Sequence, residues 1–506
     1  MAMDAKDYEF LVYRLEADSR NNPHRFRLKV AVISGLAYAV LLLFLLTLAA
    51  IAYLLVAEAR SSHQTFNLVR IGLFAATLIP IFWVTIRAFL TRIDPPDGRE
   101  ITRSEAPKLF AILDRIRATL QAPPLDKVIV DEQYNAAICQ VPRLGLFGAH
   151  RNYLILGLPY LLGTPKQEAI ATLAHEYGHL AGNHGKMGAW VYRQRRTFGA
   201  IHAKVAADAE ANIVNAMIAG ALNLFAPYFN AYTFVLSRQQ EYEADMAASQ
   251  IAGGEANASG LVRDQLLGAW IAETFWPRLY AQADTAERPR FLPYASMRTA
   301  FAAAHGEWAD AARLRTALKK DSGLEDTHPC LRERLEAIDG KAVLPAAPAR
   351  TAADSFLGPA LKGLIDEFDR HWWEANRSRW QSHHRQQAEA GRRLAELSNR
   401  PLESLDTFEL QEFGSLQAQR GELDTALHAL RHLTQRAGGP YPRADLLIAR
   451  ILLARDDRSG LDYLDAARQA DASLQNECLS LGYGYLSERE GVDAAEAWVN
   501  RIVSAH

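Results

Sequence analysis

From Val30 to Val56 the chain reads VAVISGLAYAVLLLFLLTLAAIAYLLV, without one charged residue. As a helix rising about 1.5 Å per residue, this run reaches roughly 40 Å, enough to cross a bilayer core with some tilt. It starts too late and runs too long for a cleaved leader, and no small-residue cleavage site follows it. A second apolar stretch, Leu68 to Leu90, carries Arg70 and Arg87 near its two ends, where both can snorkel to head groups, and Pro80 inside it. The two stretches predict a transmembrane helical hairpin over residues 30–92. Arg20, Arg25, Arg27 and Lys29 precede it; Arg87, Arg92, Arg99, Arg103 and Lys108 lie at or beyond its end; only Arg60 and Arg70 fall between. By the positive-inside tendency, residues 1–29 form a cytoplasmic tail, and the chain after the hairpin faces the cytoplasm from an inner membrane.

Beyond the hairpin the composition is that of a globular protein. A chain of 506 residues predicts two or three folded units. Lys and Arg total 56 against 58 for Asp and Glu, a balance that gives no electrostatic reason for a nucleic-acid partner. Cys139, Cys330 and Cys478 are sparse, odd in number and match no paired metal spacing, which fits a reducing compartment.

Asp94-Pro95-Pro96-Asp97-Gly98 opens the soluble part. Ala106–Leu120 has helical periodicity. Lys127–Val130 and Asn152–Gly157 read as short strands, joined by a Gly-rich stretch from Arg143 to His150. A helical pattern starts at Pro165. Ile213–Leu236 is apolar but interrupted by Asn215, Asn223, Pro227 and Asn230, and reads as a buried or partly membrane-embedded helix. Ala342–Ala353 is a Pro/Ala linker. After it, Phe356–Leu397, with Trp372, Trp373 and Trp380, reads as an amphipathic packing helix whose His371, His383 and His384 keep no closed ligand geometry with a carboxylate. In residues 401–506, Gly421, Ala426 and Leu430 are echoed by Asp456, Gly460 and Leu464, and the turn recurs at Gly491 before Ala494, Ala495 and Trp498. A period of about 35 residues is the mark of tetratricopeptide-like helical pairs.

The chemistry lies in His175-Glu176-Tyr177-Gly178-His179. Two histidines four apart on a helix share one face, and their imidazoles can bind one zinc ion. Glu176 is then placed to take the proton of a water attacking a polarised carbonyl. A third ligand is needed. His184 falls one residue short of the HExxHxxGxxH spacing, where Gly185 stands. Glu241 and Asp245, four apart in Ser237-Arg238-Gln239-Gln240-Glu241-Tyr242-Glu243-Ala244-Asp245, offer one carboxylate for the metal and one to orient a ligand imidazole. Glu243 points elsewhere and reads as a solvated charge.

These motifs together resemble the membrane zinc metallopeptidases that include the heat-shock protease HtpX and the CAAX prenyl proteases. The resemblance spans roughly Asp94 to Gly340. It rests on Asn135-Ala136, Gly157-Leu158, the HEYGH segment, Ser237-Arg238 before Glu241 and Asp245, and Thr327-His328-Pro329 with Arg334-Leu335. It implies His175, His179 and Glu241 as ligands of one zinc per chain, Glu176 as general base and Asp245 as partner of a ligand histidine. His328 and Arg334 would stabilise the oxyanion or support the fold, and Asn135, Ala136 and Ala137 would form an edge strand pairing with substrate. The implied fold is mainly α: the transmembrane hairpin, a gluzincin-type α+β metallopeptidase domain with a small sheet over 93–341, a linker and aromatic-rich helix over 342–400, and a helical-repeat domain over 401–506. The CAAX proteases have many more spans, and the minimal heat-shock protease lacks the C-terminal extension. The expected activity is a membrane-anchored endopeptidase acting through zinc-activated water on membrane or membrane-proximal polypeptides in quality control, with the C-terminal helices recruiting a protein partner. The alternatives are a processing protease for one defined, lipid-modified substrate and a non-catalytic zinc scaffold.

Overall fold

The computed structural model describes residues 5–61, 94–144, 147–181, 213–323, 326 and 328–504. The predicted span Leu68–Leu90 and His184 lie outside the described residues. The described chain is mainly helical with one small mixed sheet, and it divides into two compact units. One comprises Met1–Leu279 with Phe291–Ala375; the other comprises Tyr280–Arg290 with Asn376–His506.

In the first unit, helix α1 (Ala5–Asn21) turns at Asn22 into α2 (Pro23–Ser61), which runs through the whole of the uncharged stretch. Many side chains of that stretch lie outside the described set, and among the described residues no helix is long and apolar enough to cross a membrane. Val32, Leu36, Leu43, Leu46, Tyr53 and Leu54 of α2 are nonetheless all more than half exposed. The start of α2 has a small core of its own. Leu11, Val12 and Leu15 of α1 with Phe26 and Val30 of α2 pack on Ala231, Phe234, Val235 and Leu236.

The sheet follows. Strands β1 (Arg99–Glu100), β2 (Lys127–Asp131), β3 (Ala136–Leu144) and β4 (Phe147–Gly157) lie in the order β1-β2-β4-β3. Strand β2 runs parallel to β4, and the other two pairings are antiparallel. Val128, Ile129 and Val130 are all buried, which suits a central strand covered on both faces. The Gly-rich stretch Arg143–His150, expected as a connector, lies mostly within strands: β3 and β4 form one hairpin with an irregularity between Pro142 and Leu144. Pairing with β4 supplies the ladder that weak strand propensity alone does not. Strand β3 is left as a sheet edge. Helix α3 (Pro107–Leu120) buries Leu109, Leu113 and Ile116.

Helix α4 (Lys166–Leu180) begins directly after Pro165 and buries Ala169, Ala171, Leu173, Ala174, Tyr177 and Leu180. Helix α5 (Ile213–Ala252) is one unbroken helix in spite of Pro227 and the asparagines around it. Packing of its middle on α1 and α2 outweighs the local cost of those residues. Helices α4 and α5 cross at small residues: a Cβ on Gly178 would stand 3.0 Å from Ala244 Cα. Helix α6 (Gly254–Trp270) follows, and later α7 (Leu331–Ala337) packs against α5 and α6. The linker then runs extended to a capping box at Thr351, and Ala352 N–H donates to Thr164 O at the head of α4. Helix α8 (Ala360–Ser398) begins in this unit and continues into the second. Trp372 is buried and stacks on Trp276.

The second unit holds three antiparallel helix pairs: α9 (Thr407–Gln419) with α10 (Leu423–Thr434), α11 (Pro442–Ala454) with α12 (Gly460–Ala470), and α13 (Gln475–Arg489) with α14 (Val492–Ser504). The turns within the pairs carry Gly421, Asp456 and Gly491 at φ of 82°, 62° and 93°, a left-handed conformation that glycine adopts at least cost. Of the predicted contact residues, Ala426, Leu430, Gly460, Leu464, Ala495 and Trp498 are buried, and Ala494 is half-buried. In the remainder of α8, the Trp380 indole donates to Ala286 O, and His383 and His384 bond Asp284 and Ala283 O.

Candidate metal centre

Helix α4 sets His175 and His179 one turn apart, with ring centroids 4.7 Å apart and planes at 86°. Their Nε2 atoms approach to 3.1 Å. Helix α5 brings Glu241 against both: its Oε2 is 3.6 Å from His175 Nε2, and its Oε1 is 3.4 Å from His179 Nε2. One donor atom from each of the three lies within 4.8 Å of the others. Among the described residues this is the one such group. The small residues at the crossing make the approach possible, because a bulkier pair would hold the carboxylate out of reach.

The chemistry of the donor set fits a metal. His175 Nδ1 stands 2.9 Å from Asp245 Oδ1, and an ionised carboxylate only accepts, so Nδ1 carries the hydrogen. In the neutral ring the Nε2 lone pair is then left to face His179 and Glu241, which is the tautomer a metal ligand needs. Glu241 Oε2 is buried and makes no hydrogen bond of sound geometry, although His328 Nδ1 lies 3.0 Å away. Two imidazole nitrogens and one carboxylate oxygen are the donors of a three-ligand zinc site.

Burial and charge set the protonation of these groups. For His175, burial is outweighed by the Asp245 and Glu241 carboxylates, and its pKa rises to about 9. His179, buried beside that imidazolium, is pushed down to about 4. Two rings this close do not both hold a proton. Burial pushes Glu241 up, but His175 and His328 beside it hold its carboxyl well below the usual range. Burial raises Glu176.

The other residues singled out in the sequence fall around these three. Glu176 Oε2 accepts the Ile138 N–H of edge strand β3 at 2.8 Å. Ala136 and Ala137 begin that strand, opposite Leu156 and Ile155, and Asn135 O accepts the Gly157 N–H at 2.7 Å. Arg334 of α7 grips Asp245 with both arms, Nε to Oδ2 at 2.8 Å and Nη2 to Oδ1 at 2.6 Å. Its guanidinium therefore acts on the carboxylate that orients His175. The His328 side chain is 72% exposed and leans over Glu241. Glu243 differs from its expected solvated state, since Arg27 of α2 and Gln239 both bond it.

Two participants went unnoticed in the sequence, and a third was singled out without its partner. Ile138 acts through its backbone, so its side chain carried no signal. Asn257 of α6 donates its amide to Asp245 O at 2.9 Å and fixes the turn from behind. Arg238 pairs with Glu333, the residue before Arg334. Arg238 lies within the Ser237–Asp245 segment, and Glu333 immediately precedes Arg334.

Residues 146–342 match the family model described as peptidase family M48. That span contains His175, Glu176, His179, Glu241, Asp245, His328 and Arg334, and begins beyond Asn135–Ala137. The match supports metallopeptidase chemistry for this part of the chain. No curated protein matches the chain.

Proposed function

We propose that the chain is a membrane-anchored zinc endopeptidase whose metal is held by His175, His179 and Glu241. The observation that carries this reading is the convergence of two imidazole nitrogens and a buried, unbonded carboxylate oxygen beside Glu176. When bound, zinc supplies a Lewis acid that polarises a peptide carbonyl and makes water a nucleophile at neutral pH. Glu176 takes the proton of the attacking water and returns it to the leaving amine; its raised pKa suits a group that must do both. Asp245, held by Arg334 and Asn257, keeps the His175 ring turned toward Glu241. His328, exposed above Glu241, is the group placed to meet charge developing on the substrate.

Substrate binding falls to β3. An edge strand presents unpaired backbone groups, and an extended peptide can add to it as a further strand. Glu176 already touches that edge at Ile138, so a peptide aligned there lies beside the base.

The exposed apolar side chains from Val32 to Leu54 support α2 as the anchor, in the inner membrane with the metal centre on the cytoplasmic side. That setting suits membrane or membrane-proximal polypeptides as substrates and quality control as the role. The three helix pairs with left-handed turns at Gly421, Asp456 and Gly491 support a tetratricopeptide-like module that docks a protein partner.

The test is zinc content together with proteolysis of an unfolded protein such as casein, for wild type and Glu176→Gln. The expected result is one zinc per chain in both and cleavage by wild type alone. Zinc in both without cleavage by either would instead point to a gated enzyme with one narrow substrate or to a non-catalytic scaffold.

A further inference from the structure

The turn of α5 that carries Glu241 has a second set of polar residues. Glu241 and Asp245 face α4, while Arg238, Gln239, Tyr242 and Glu243 are engaged by other helices. Arg238 Nη1 is 2.9 Å from Glu16 Oε1 of α1, and its Nη2 bonds Glu333 of α7. The Tyr242 hydroxyl donates to the same Glu333 oxygen at 3.2 Å, and Ser322 Oγ donates to it at 3.0 Å. Ser19 of α1 donates to Gln239 Oε1 at 2.8 Å. Arg27 of α2 pairs with Glu243.

Helices α5 and α7 are thus joined by two ion pairs of opposite sense. Arg238 reaches from α5 to Glu333 on α7, and Arg334, the next residue of α7, reaches back to Asp245 on α5. The second pair orients His175. The first fixes where α7 stands, and so where Arg334 can place its fork. Glu16 holds the other arm of the Arg238 guanidinium, whose side chain is only 11% exposed.

We propose that Arg238 is a positioning residue of the metal centre and that Glu16 sets it, so that helix α1 is a working part of the centre. This rests on the zinc reading above. A planar guanidinium bonds two carboxylates at once in fixed directions; an ammonium in its place is a point charge on a flexible stem. Losing the fork frees α7 to shift, Arg334 then grips Asp245 less well, and the His175 ring loses its fixed orientation. Partners one step beyond the ligands are worth about 10–100-fold in metal affinity, and Arg238 acts one step further out.

The test uses the full chain in detergent, with zinc affinity measured by chelator competition and the visible spectrum of the cobalt(II)-substituted protein as a readout of ligand geometry. Arg238→Gln is expected to weaken zinc binding about tenfold and change the cobalt bands, and Glu16→Gln to do the same by about threefold. Arg238→Lys should fall between wild type and Arg238→Gln. Because both act through one arm, the double variant should be no weaker than Arg238→Gln. Arg14→Gln, which removes an exposed charge from α1, serves as the control that stays at wild-type values. Wild-type zinc affinity and cobalt spectra in Arg238→Gln and Glu16→Gln would overturn the proposal, whatever those variants do to thermal stability. A wild type that binds neither metal would overturn the zinc reading itself, a failure told apart from the first.

Discussion

Asp264 shows how the fold uses a carboxyl group that is mostly kept from water. It lies on α6 and accepts the Tyr134 hydroxyl at 3.3 Å. Burial, followed by repulsion from Glu168, raises its pKa to about 7. The folded state therefore binds this proton more tightly than the unfolded chain. Its contribution to stability is complete below the ordinary aspartate range and is lost as pH climbs to about 7. Asp264→Asn keeps the oxygen that Tyr134 bonds and removes the titration. Relative to wild type it should raise the thermal midpoint clearly at pH 8 and little at pH 4, a difference of about 2 kcal/mol in stability after allowance for partial solvent contact. An equal offset at both pH values would contradict the assigned pKa. Nothing in the sequence marked Asp264, because its state depends on Glu168 and Tyr134 reaching it from distant segments. His175, His179 and Glu241 were legible for the opposite reason: an i, i+4 spacing on a helix fixes relative direction without any knowledge of the fold. Arg238 stood inside a quoted motif and still gave no sign that its partners were Glu16 and Glu333.

Among the elements, the centre depends on the crossing of α4 and α5. Gly178 meets Ala244 Cα at the distance where an added methyl must push a backbone aside by a few tenths of an ångström. Gly178→Ala should destabilise the first unit by about 1–3 kcal/mol and weaken zinc binding, because His179 moves with its helix away from Glu241. Gly254→Ala, where a Cβ meets nothing within 4 Å, is the matched control. A calorimetric zinc titration giving equal affinities for the two variants would remove the crossing from the account. Helices were read well from the sequence where one face was apolar, as in α3 and α4. Ile213–Leu236 was also read as helix, although Pro227 and three asparagines look like breaks; what the sequence did not show is that Ala231, Phe234, Val235 and Leu236 pack on α1 and α2. The β3–β4 hairpin was missed for a related reason. Its glycines signal a loop locally, while strand pairing is decided by the partner.

The whole molecule combines a metal-centre unit that begins with the N-terminal helices and a second unit of helix pairs. If α2 is a membrane anchor, membranes washed with alkaline carbonate should retain the full chain, and release into the wash would contradict the anchor. The turn residues Gly421, Asp456 and Gly491 were visible in the sequence, since a left-handed turn selects glycine or aspartate. The division of the chain within α8 was not, as a single helix serves both units and no break in composition marks the boundary. The claim that joins these parts is that the chain holds one zinc through His175, His179 and Glu241. X-ray absorption at the zinc edge of the purified full chain tests it most directly. The predicted spectrum shows imidazole and oxygen donors alone, and the site is lost in His175→Ala and Glu241→Ala. Sulfur scattering from a cysteine, or an unchanged spectrum in either variant, would contradict it.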